Sequence, residues 1–172
     1  MNRILVGGSS GAGKTTLARR LGSRLELPYV EVDSLFHGAG WVPRPEFVDD
    51  VDRFTAGPRW VIDDYSAVRH LVWSRIDTFV WLDYSRARCE WRVLRRSVAR
   101  GSMRRELWNG NRERLWAMFT DPEHPVRWSW AHHAQRRAEF EDRVAMPEHA
   151  RINVLLLTHP RQTRDWLQSL PT

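Results

Sequence analysis

The chain has 172 residues, of which 42% are hydrophobic and 28% charged, a composition typical of a globular protein. No apolar run approaches the roughly 20 residues of a membrane span, and Cys89 is the only cysteine, which excludes a disulfide framework and favours the reducing cytoplasm. The formal charge is +6, and every one of the 27 Lys and Arg residues except Lys14 is arginine. This bias indicates either genome composition or affinity for phosphate-bearing ligands. We expect one domain over residues 1–172.

Apolar segments and their breakers divide the chain into alternating strands and helices. A short apolar run before the first glycines predicts a strand at 3–7, and helical spacing predicts a helix at 14–25, which Pro28 ends. Further strands are predicted at 29–32, 60–62, 79–82 and 152–157, and further helices at 45–55, 86–100, 112–119, 128–144 and 161–170. Strands separated by helices are typical of a parallel sheet with helices on both faces. The predicted fold class is α/β.

The predicted helix at 86–100 has the clearest pattern, because an apolar stripe and an arginine stripe occupy opposite sides of it. The apolar stripe consists of Ala87, Trp91, Leu94 and Val98, and the arginine stripe of Arg88, Arg92, Arg96 and Arg100. We expect the apolar stripe to pack in the core, where Trp60 and Trp81 of the neighbouring strands are also predicted to lie.

Residues 8–15 read Gly-Ser-Ser-Gly-Ala-Gly-Lys-Thr and match the phosphate-loop pattern G-x-x-x-x-G-K-[S/T] at every fixed position. Glycines let the backbone approach a phosphate closely, and the loop N–H groups and the positive end of the following helix then bind the anion. Lys14, the only lysine, stands where the pattern demands one, and we expect it to bridge the β- and γ-phosphates of ATP. The predicted nucleotide-binding residues are Gly8, Ser9, Ser10, Gly11, Ala12, Gly13, Lys14, Thr15 and Thr16.

Two residues are predicted to hold a Mg²⁺ ion beside this loop. The Thr15 hydroxyl is the first. Asp63, an acid at the end of an apolar strand, is the second and would act through the water shell of the ion, with Asp64 and Asp83 as alternatives.

These motifs together resemble the small P-loop kinases, a group that includes adenylate, shikimate and gluconate kinases. The resemblance rests on residues 8–15, on Glu31-Val32-Asp33, on Trp60-Val61-Ile62-Asp63 and on the arginine-rich helix after Asp83. The run at 105–113 is similar to one found in bacterial adenylate-kinase-like ATP-binding proteins labelled DNA topology modulation proteins. The resemblance implies a five-stranded parallel sheet in the order 2-3-1-4-5.

The same resemblance implies an arginine-bearing lid, here at about 100–114. Such a lid closes over the nucleotide and brings cations to the phosphoryl group that is transferred. The catalytic arginines expected from it are Arg96, Arg105 and Arg112, with Arg92 and Arg104 as further candidates.

Asp33 is the residue that the resemblance places at the phosphate acceptor. In shikimate- and gluconate-type kinases an acid after the second strand faces the acceptor hydroxyl, where it accepts or orients the proton. Members of the family read Asp-Gly-Asn-Tyr after the third strand, whereas this chain reads Asp63-Asp64-Tyr65-Ser66. We expect the extra carboxylate to affect the choice of acceptor by repulsion.

The sequence therefore predicts a kinase that uses ATP and Mg²⁺ to phosphorylate a small-molecule acceptor, whose identity stays open. Guanine-specific switch proteins are excluded, because their base-reading motif needs a second lysine. The alternative is a nucleic-acid-associated or regulatory ATP-binding protein with little kinase activity, which the +6 charge and the arginine stripe favour. A polynucleotide 5′-kinase would combine the two.

Overall fold

A five-stranded parallel sheet forms the centre of the molecule. The computed structural model describes residues 1–102, 109 and 125–171. The strands are β1 (Arg3–Gly8), β2 (Tyr29–Val30), β3 (Trp60–Asp63), β4 (Thr78–Leu82) and β5 (Asn153–Leu157). They lie in the order β2-β3-β1-β4-β5, and every pair is parallel. The predicted fold class and strand order are confirmed.

Helices cover both faces of this sheet. They are α1 (Lys14–Arg24), α2 (Val32–Phe36), α3 (Phe47–Thr55), α4 (Arg69–Trp73), α5 (Arg86–Ser102), α6 (Pro125–Ala145) and α7 (Pro160–Ser169). Helices α1, α5 and α7 contribute to the core on one face, and α2, α3, α4 and α6 to the core on the other. None of the helices in the described part of the chain is both long and apolar enough to cross a membrane.

The central strands are buried over nearly their whole length, and mostly apolar, because both faces of the sheet are covered. Ile4, Leu5 and Val6 of β1 are buried, and so are the predicted core residues Trp60 of β3 and Trp81 of β4. The Trp60 indole N–H, which would otherwise lose its hydrogen bond to water, donates to the carbonyl oxygen of Thr55 at 3.1 Å.

The second strand is shorter than predicted. It ends at Val30, and Val32 already belongs to α2. The reason is the Asp63 carboxylate, whose Oδ1 accepts a hydrogen bond from the Val32 N–H at 3.2 Å and turns the chain into a helix. Asp33 therefore lies in the first turn of α2 and not at the end of a strand.

The prediction that the apolar stripe of α5 packs in the core is wrong. Trp91 is 63% exposed, and Leu94 and Val98 are exposed as well. The buried side of α5 instead carries the smaller residues Cys89 and Val93, which lie against the backbone of Gly11. Small side chains on this face let the 8–15 loop approach the helix closely.

Two predicted segments lie mainly outside the described residues. The helix predicted at 112–119 falls there completely, and so does most of the lid predicted at 100–114, except for residues 100–102 in α5 and Asn109. The prediction of one domain over residues 1–172 stays a prediction. Two short helices, α2 and α4, were not predicted.

Candidate active site

The phosphate loop connects β1 to α1 at the carboxyl edge of the sheet, which is where open parallel sheets bind ligands. Its path requires glycine at two positions. Gly11 and Gly13 have φ angles of 82° and 100°, and a Cβ atom at Gly11 would lie 2.2 Å from the carbonyl oxygen of Cys89. The Ala12 N–H donates to the carbonyl oxygen of Ser9 at 3.1 Å and closes the turn. The loop is therefore a fixed backbone structure.

The Lys14 ammonium group lies among charged side chains from other elements. Burial and the guanidinium group of Arg136 lower the pKa of Lys14 from its ordinary value of 10.5. The carboxylates of Asp64, Asp63 and Asp33 act in the opposite direction but do not fully compensate. An anionic polyphosphate beside Lys14 would supply the negative charge that this environment lacks.

The two residues predicted to hold Mg²⁺ are in contact. Thr15 Oγ1 donates a hydrogen bond to Asp63 Oδ2 at 2.7 Å, and the side chain of Asp63 is fixed further by the Val32 N–H. Hydroxyl and carboxylate oxygens are the ligand types that Mg²⁺ prefers, so this donor set fits the ion. The two alternatives, Asp64 and Asp83, instead form ion pairs with arginines.

Of the candidate arginines, Arg92 contacts the phosphate loop. Its Nη1 donates to the carbonyl oxygen of Ala12 at 3.1 Å, and its Nη2 lies 3.4 Å from the position of a Cβ atom built on Gly13. Arg96 follows one turn later on α5 and is exposed. Thr16, the last predicted nucleotide-binding residue, is exposed on α1. The other predicted catalytic arginines, Arg105 and Arg112, lie outside the described residues.

Asp33 acts electrostatically on both Lys14 and Tyr65, a member of a group of aromatic rings. Its carboxylate raises the pKa of Lys14 and, together with burial, which is the larger cause, raises the pKa of Tyr65. The Phe36 ring is 4.9 Å from the Tyr65 ring and 5.1 Å from the Phe47 ring, centre to centre, and the His37 ring is 5.0 Å from the Trp41 ring. We call the whole group the aromatic wall: Phe36, His37, Trp41, Phe47 and Tyr65.

A group of four charged residues, the ion cluster, lies behind Lys14: Asp64, Arg69, Arg136 and Glu139. Arg69 makes a bidentate contact with Asp64, with Nε–Oδ1 at 2.8 Å and Nη2–Oδ2 at 2.7 Å, and its Nη1 donates to Glu139 at 2.7 Å. Arg136 Nη1 donates to Asp64 Oδ2 at 3.2 Å. Burial lowers the pKa of Arg136, whereas the hydrogen bonds and charges of Asp64 and Glu139 overcome burial and raise the pKa of Arg69.

Sequence reasoning identified Asp64 as an unusual residue but missed its partners. Arg69 lies in a short helix that was not predicted, and Arg136 and Glu139 come from α6, about 70 positions away in the chain. In a chain with so many arginines, no local pattern distinguishes those that will be buried. Only the adjacent acids Asp63 and Asp64 were a usable signal.

The comparisons with known proteins agree with this architecture. No family model matches the chain. Its structure is similar to that of shikimate kinase from Acinetobacter baumannii in complex with shikimate, with a TM-score of 0.57 and 16% identity over 98% of this chain and 89% of that one. It is also similar to a sugar kinase from Janibacter sp. HTCC2649, with a TM-score of 0.52 and 18% identity over 99% and 96% of the two chains. The protein has the fold of the small P-loop kinases.

Similarity in sequence is confined to short segments. A stretch of 49 residues is 39% identical to a bifunctional pantoate ligase/cytidylate kinase from Gloeobacter violaceus, and one of 38 residues is 42% identical to a cytidylate kinase from Maridesulfovibrio salexigens. These stretches cover 28% and 22% of this chain but only 10% and 17% of those two proteins. The narrower resemblance to DNA topology modulation proteins stays a prediction.

Proposed function

We propose that the protein is an ATP-dependent kinase that transfers the γ-phosphoryl group of ATP to a hydroxyl group of a small molecule. The main support is the hydrogen bond between Thr15 and Asp63 at the base of a glycine-shaped loop, next to a lysine whose surroundings disfavour its charge. This arrangement joins a cradle for phosphates to oxygen ligands for Mg²⁺. The likeness to kinases of known structure points in the same direction.

In the proposed reaction the acceptor oxygen attacks the γ-phosphorus while the bond to the β,γ-bridging oxygen breaks, and ADP leaves with the electron pair of that bond. Asp33 accepts the proton of the acceptor hydroxyl. Lys14 and Arg92 stabilise the negative charge on the phosphate oxygens. Mg²⁺, when held by Thr15 and Asp63, supplies further positive charge to those oxygens.

The arginines predicted for the lid have the same proposed task. Arg96 on α5, with Arg105 and Arg112, would add positive charge to that of Lys14 and Arg92 during transfer of the phosphoryl group. The sheet and the 8–15 loop position the phosphates, so these arginines need only approach an anion that is already bound.

A single lysine allows a direct test of the nucleotide site. A reagent that modifies amines has two targets in this chain, Lys14 and the α-amino group of a chain that begins at Met1, and mass spectrometry separates the two modified peptides. We expect ATP with Mg²⁺ to slow modification of Lys14 while Met1, which is 47% exposed, reacts as before. Mg²⁺ with tripolyphosphate should protect Lys14 as well, whereas adenosine should not. Unchanged modification of Lys14 at saturating ATP would disprove the nucleotide site.

Kinase activity needs a second measurement, which is ADP release in the presence of a panel of hydroxylated metabolites, nucleosides and nucleoside monophosphates. We expect at least one acceptor to increase ADP release above the rate with water alone. Protection of Lys14 without any acceptor-dependent ADP release would favour the alternative of a regulatory or nucleic-acid-associated ATP-binding protein.

A further inference from the structure

We call Asp33, the aromatic wall and the ion cluster together the acceptor half of the site. Its charges and rings indicate which chemical class of acceptor it can bind. Two contacts join α2, which carries Asp33, to the segment that carries Asp64 and Tyr65. The Val32 N–H donates to Asp63 Oδ1 at 3.2 Å, and the Phe36 and Tyr65 rings lie 4.9 Å apart. An acceptor hydroxyl beside Asp33 would therefore lie close to both the wall and the cluster.

The guanidinium groups of the cluster are already matched by carboxylates. An arginine binds a phosphate or carboxylate group of a ligand through pairs of N–H donors. In Arg69 the Nε, Nη1 and Nη2 atoms all donate to Asp64 or Glu139, and the side chains of Arg69 and Asp64 are 6% and 1% exposed. Arg136 is bound to the same Asp64 carboxylate. The two cations, Arg69 and Arg136, are thus balanced by the two anions, Asp64 and Glu139, and Asp64 accepts hydrogen bonds from both arginines.

An anionic acceptor would be unfavourable in this half of the site. To engage Arg69 through a pair of N–H donors, its phosphate or carboxylate group would have to displace Asp64, which would deprive that buried carboxylate of its bidentate partner. The ligand charge would also be repelled by Asp33, Asp63 and Asp64, which all lie close to Lys14. A neutral hydroxyl avoids both effects, because it donates to Asp33 and needs no cation.

The aromatic wall indicates what the rest of the acceptor is like. Phe36 and Tyr65 pack on each other beside Asp33, and His37 and Trp41 continue the row. Phe47 itself is buried in the core, whereas Phe36, His37 and Tyr65 are partly exposed and Trp41 is exposed. Exposed parts of such rings pack against the C–H face of a sugar or cyclitol ring or against a nucleobase. We infer that the acceptor is an uncharged, polyhydroxylated ring compound, and that Asp64 excludes its phosphorylated or carboxylated counterparts. This inference depends on the proposed kinase function.

The test compares acceptors in matched pairs: nucleosides with their 5′-monophosphates, and neutral sugars or cyclitols with the corresponding sugar acids. ADP release gives kcat/KM for each compound. In the sugar and cyclitol pairs a hydroxyl oxygen forms the new bond to phosphorus in both members, so these pairs differ mainly in charge. In a nucleoside 5′-monophosphate the 5′-hydroxyl is replaced by a phosphate oxygen, so the nucleoside pairs also compare a hydroxyl with a phosphate as the acceptor group. We expect the neutral member of the best pair to be preferred at least about tenfold. A preference of the same size for the anionic member would overturn the inference.

A binding measurement makes the test independent of turnover. The protein is first saturated with Mg²⁺ and a non-hydrolysable ATP analogue and is then titrated with the nucleoside monophosphates and sugar acids. We expect no saturable binding of these anions to the wild-type protein up to about 10 mM. In Asp64→Asn, which releases Arg69 and Arg136 from their shared carboxylate, we expect the anions to bind at least about tenfold more tightly. Submillimolar binding to the wild-type protein would overturn the inference.

Three further variants and one control separate the possible causes. Glu139→Gln removes the negative charge of a partly exposed partner that accepts one hydrogen bond from Arg69 Nη1. It should shift anion binding in the same direction by less, which keeps the test valid if Asp64→Asn does not fold. Asp52→Asn removes an Asp–Arg pair at the opposite edge of the sheet and should change nothing. When Asp64→Asn is combined with Arg69→Met or with Arg136→Met, the tighter binding of anions seen in Asp64→Asn should be lost.

If Asp64→Asn and Glu139→Gln both bind anions no better than the wild type, Asp64 is not the residue that excludes anionic acceptors. Failure of the ATP analogue to bind would instead count against the proposed kinase function.

Discussion

The two halves of the site are built in different ways. The phosphate-binding half comes from one continuous segment, residues 8–15, and its shape is that of a backbone turn held by glycines with positive φ. The acceptor half instead joins side chains from α2, the turn after β3, α4 and α6, and the shortest contacts in it are between charged groups. The phosphate-binding half can therefore be recognised in one short stretch of sequence, whereas the acceptor half brings together residues that are far apart in the chain.

This difference has a physical origin. Backbone N–H groups that point at a phosphate carry no information about the rest of the ligand, so a loop of this kind serves any nucleoside triphosphate. Charged side chains with buried partners discriminate strongly, because exchanging one partner leaves a charge unmatched. We therefore expect changes in the loop to abolish activity for every acceptor, and changes in the acceptor half to alter the preference among acceptors.

The largest effect is expected from Lys14→Ala. Loss of the only ammonium group at the β- and γ-phosphates should lower kcat/KM by about a hundredfold to a thousandfold, equally for every acceptor. The variant without nucleotide should melt at a higher temperature than the wild type, because burial and Arg136 disfavour the Lys14 charge in the folded state. ADP release and thermal unfolding measure the two effects. Activity close to the wild type would contradict the assigned role of Lys14.

Asp63→Asn should have the next largest effect and should reveal itself in the dependence on Mg²⁺. Asparagine can still accept the hydrogen bond of the Val32 N–H, so the start of α2 should persist, whereas the negative charge next to Thr15 is lost. The Mg²⁺ concentration for half-maximal activity should rise by about tenfold to a hundredfold. An unchanged Mg²⁺ requirement would show that the ion is held elsewhere, and Asp83→Asn, which alters a more distant acid, serves as the control.

Arg92→Gln should have a smaller effect and tests whether α5 belongs to the phosphate-binding half. The guanidinium group contacts the loop through Ala12, and loss of a charge-assisted contact to a phosphate corresponds to roughly a tenfold decrease in kcat/KM. The matched control is Arg86→Gln on the same helix, where the arginine is paired with Glu90 and exposed. Equal effects of the two variants would mean that net positive charge matters rather than the position of Arg92.

The same contrast between local and distant contacts explains what could be predicted from the sequence. The α/β fold class and the strand–loop–helix unit at 8–15 follow from apolar runs and glycines that lie next to each other in the chain, whereas the strand order was expected only from the resemblance to the small P-loop kinases. The wrong face of α5 was predicted to be buried. The buried face is the one that lies against the Gly11 backbone, and it does not carry the larger apolar residues. The end of β2 was misplaced because a carboxylate from β3 caps α2.

The ion cluster illustrates the limit of such predictions. Asp64 and its partner Arg136 are 72 positions apart, and a pair at that separation has no periodicity or motif to mark it. Its existence depends on how α6 lies on the sheet, which is decided by the packing of residues such as Phe140 against Phe79 and Trp81. Sequence patterns thus predict a reaction class more readily than the identity of an acceptor.

The smallest predicted effect links the two halves through the proton of Lys14. In the free protein the pKa of Lys14 lies below 10.5, and bound polyphosphate should raise it, so Mg²⁺ with ATP should bind with net proton uptake at pH values between the lowered pKa of the free protein and the raised pKa of the complex. ATP affinity should accordingly fall as the pH rises through the lowered pKa of the free protein. Calorimetry in two buffers with different ionisation enthalpies measures the uptake.

Arg136→Gln tests whether Arg136 contributes to this proton uptake. Removing that guanidinium group removes the second cause of the lowered pKa and also exposes Lys14 to a less compensated Asp64, so both effects raise the pKa of Lys14 in the free protein. Less of the lysine is then deprotonated before ATP binds, and the proton uptake should decrease. Equal uptake in the variant and the wild type would show that Arg136 does not act on Lys14.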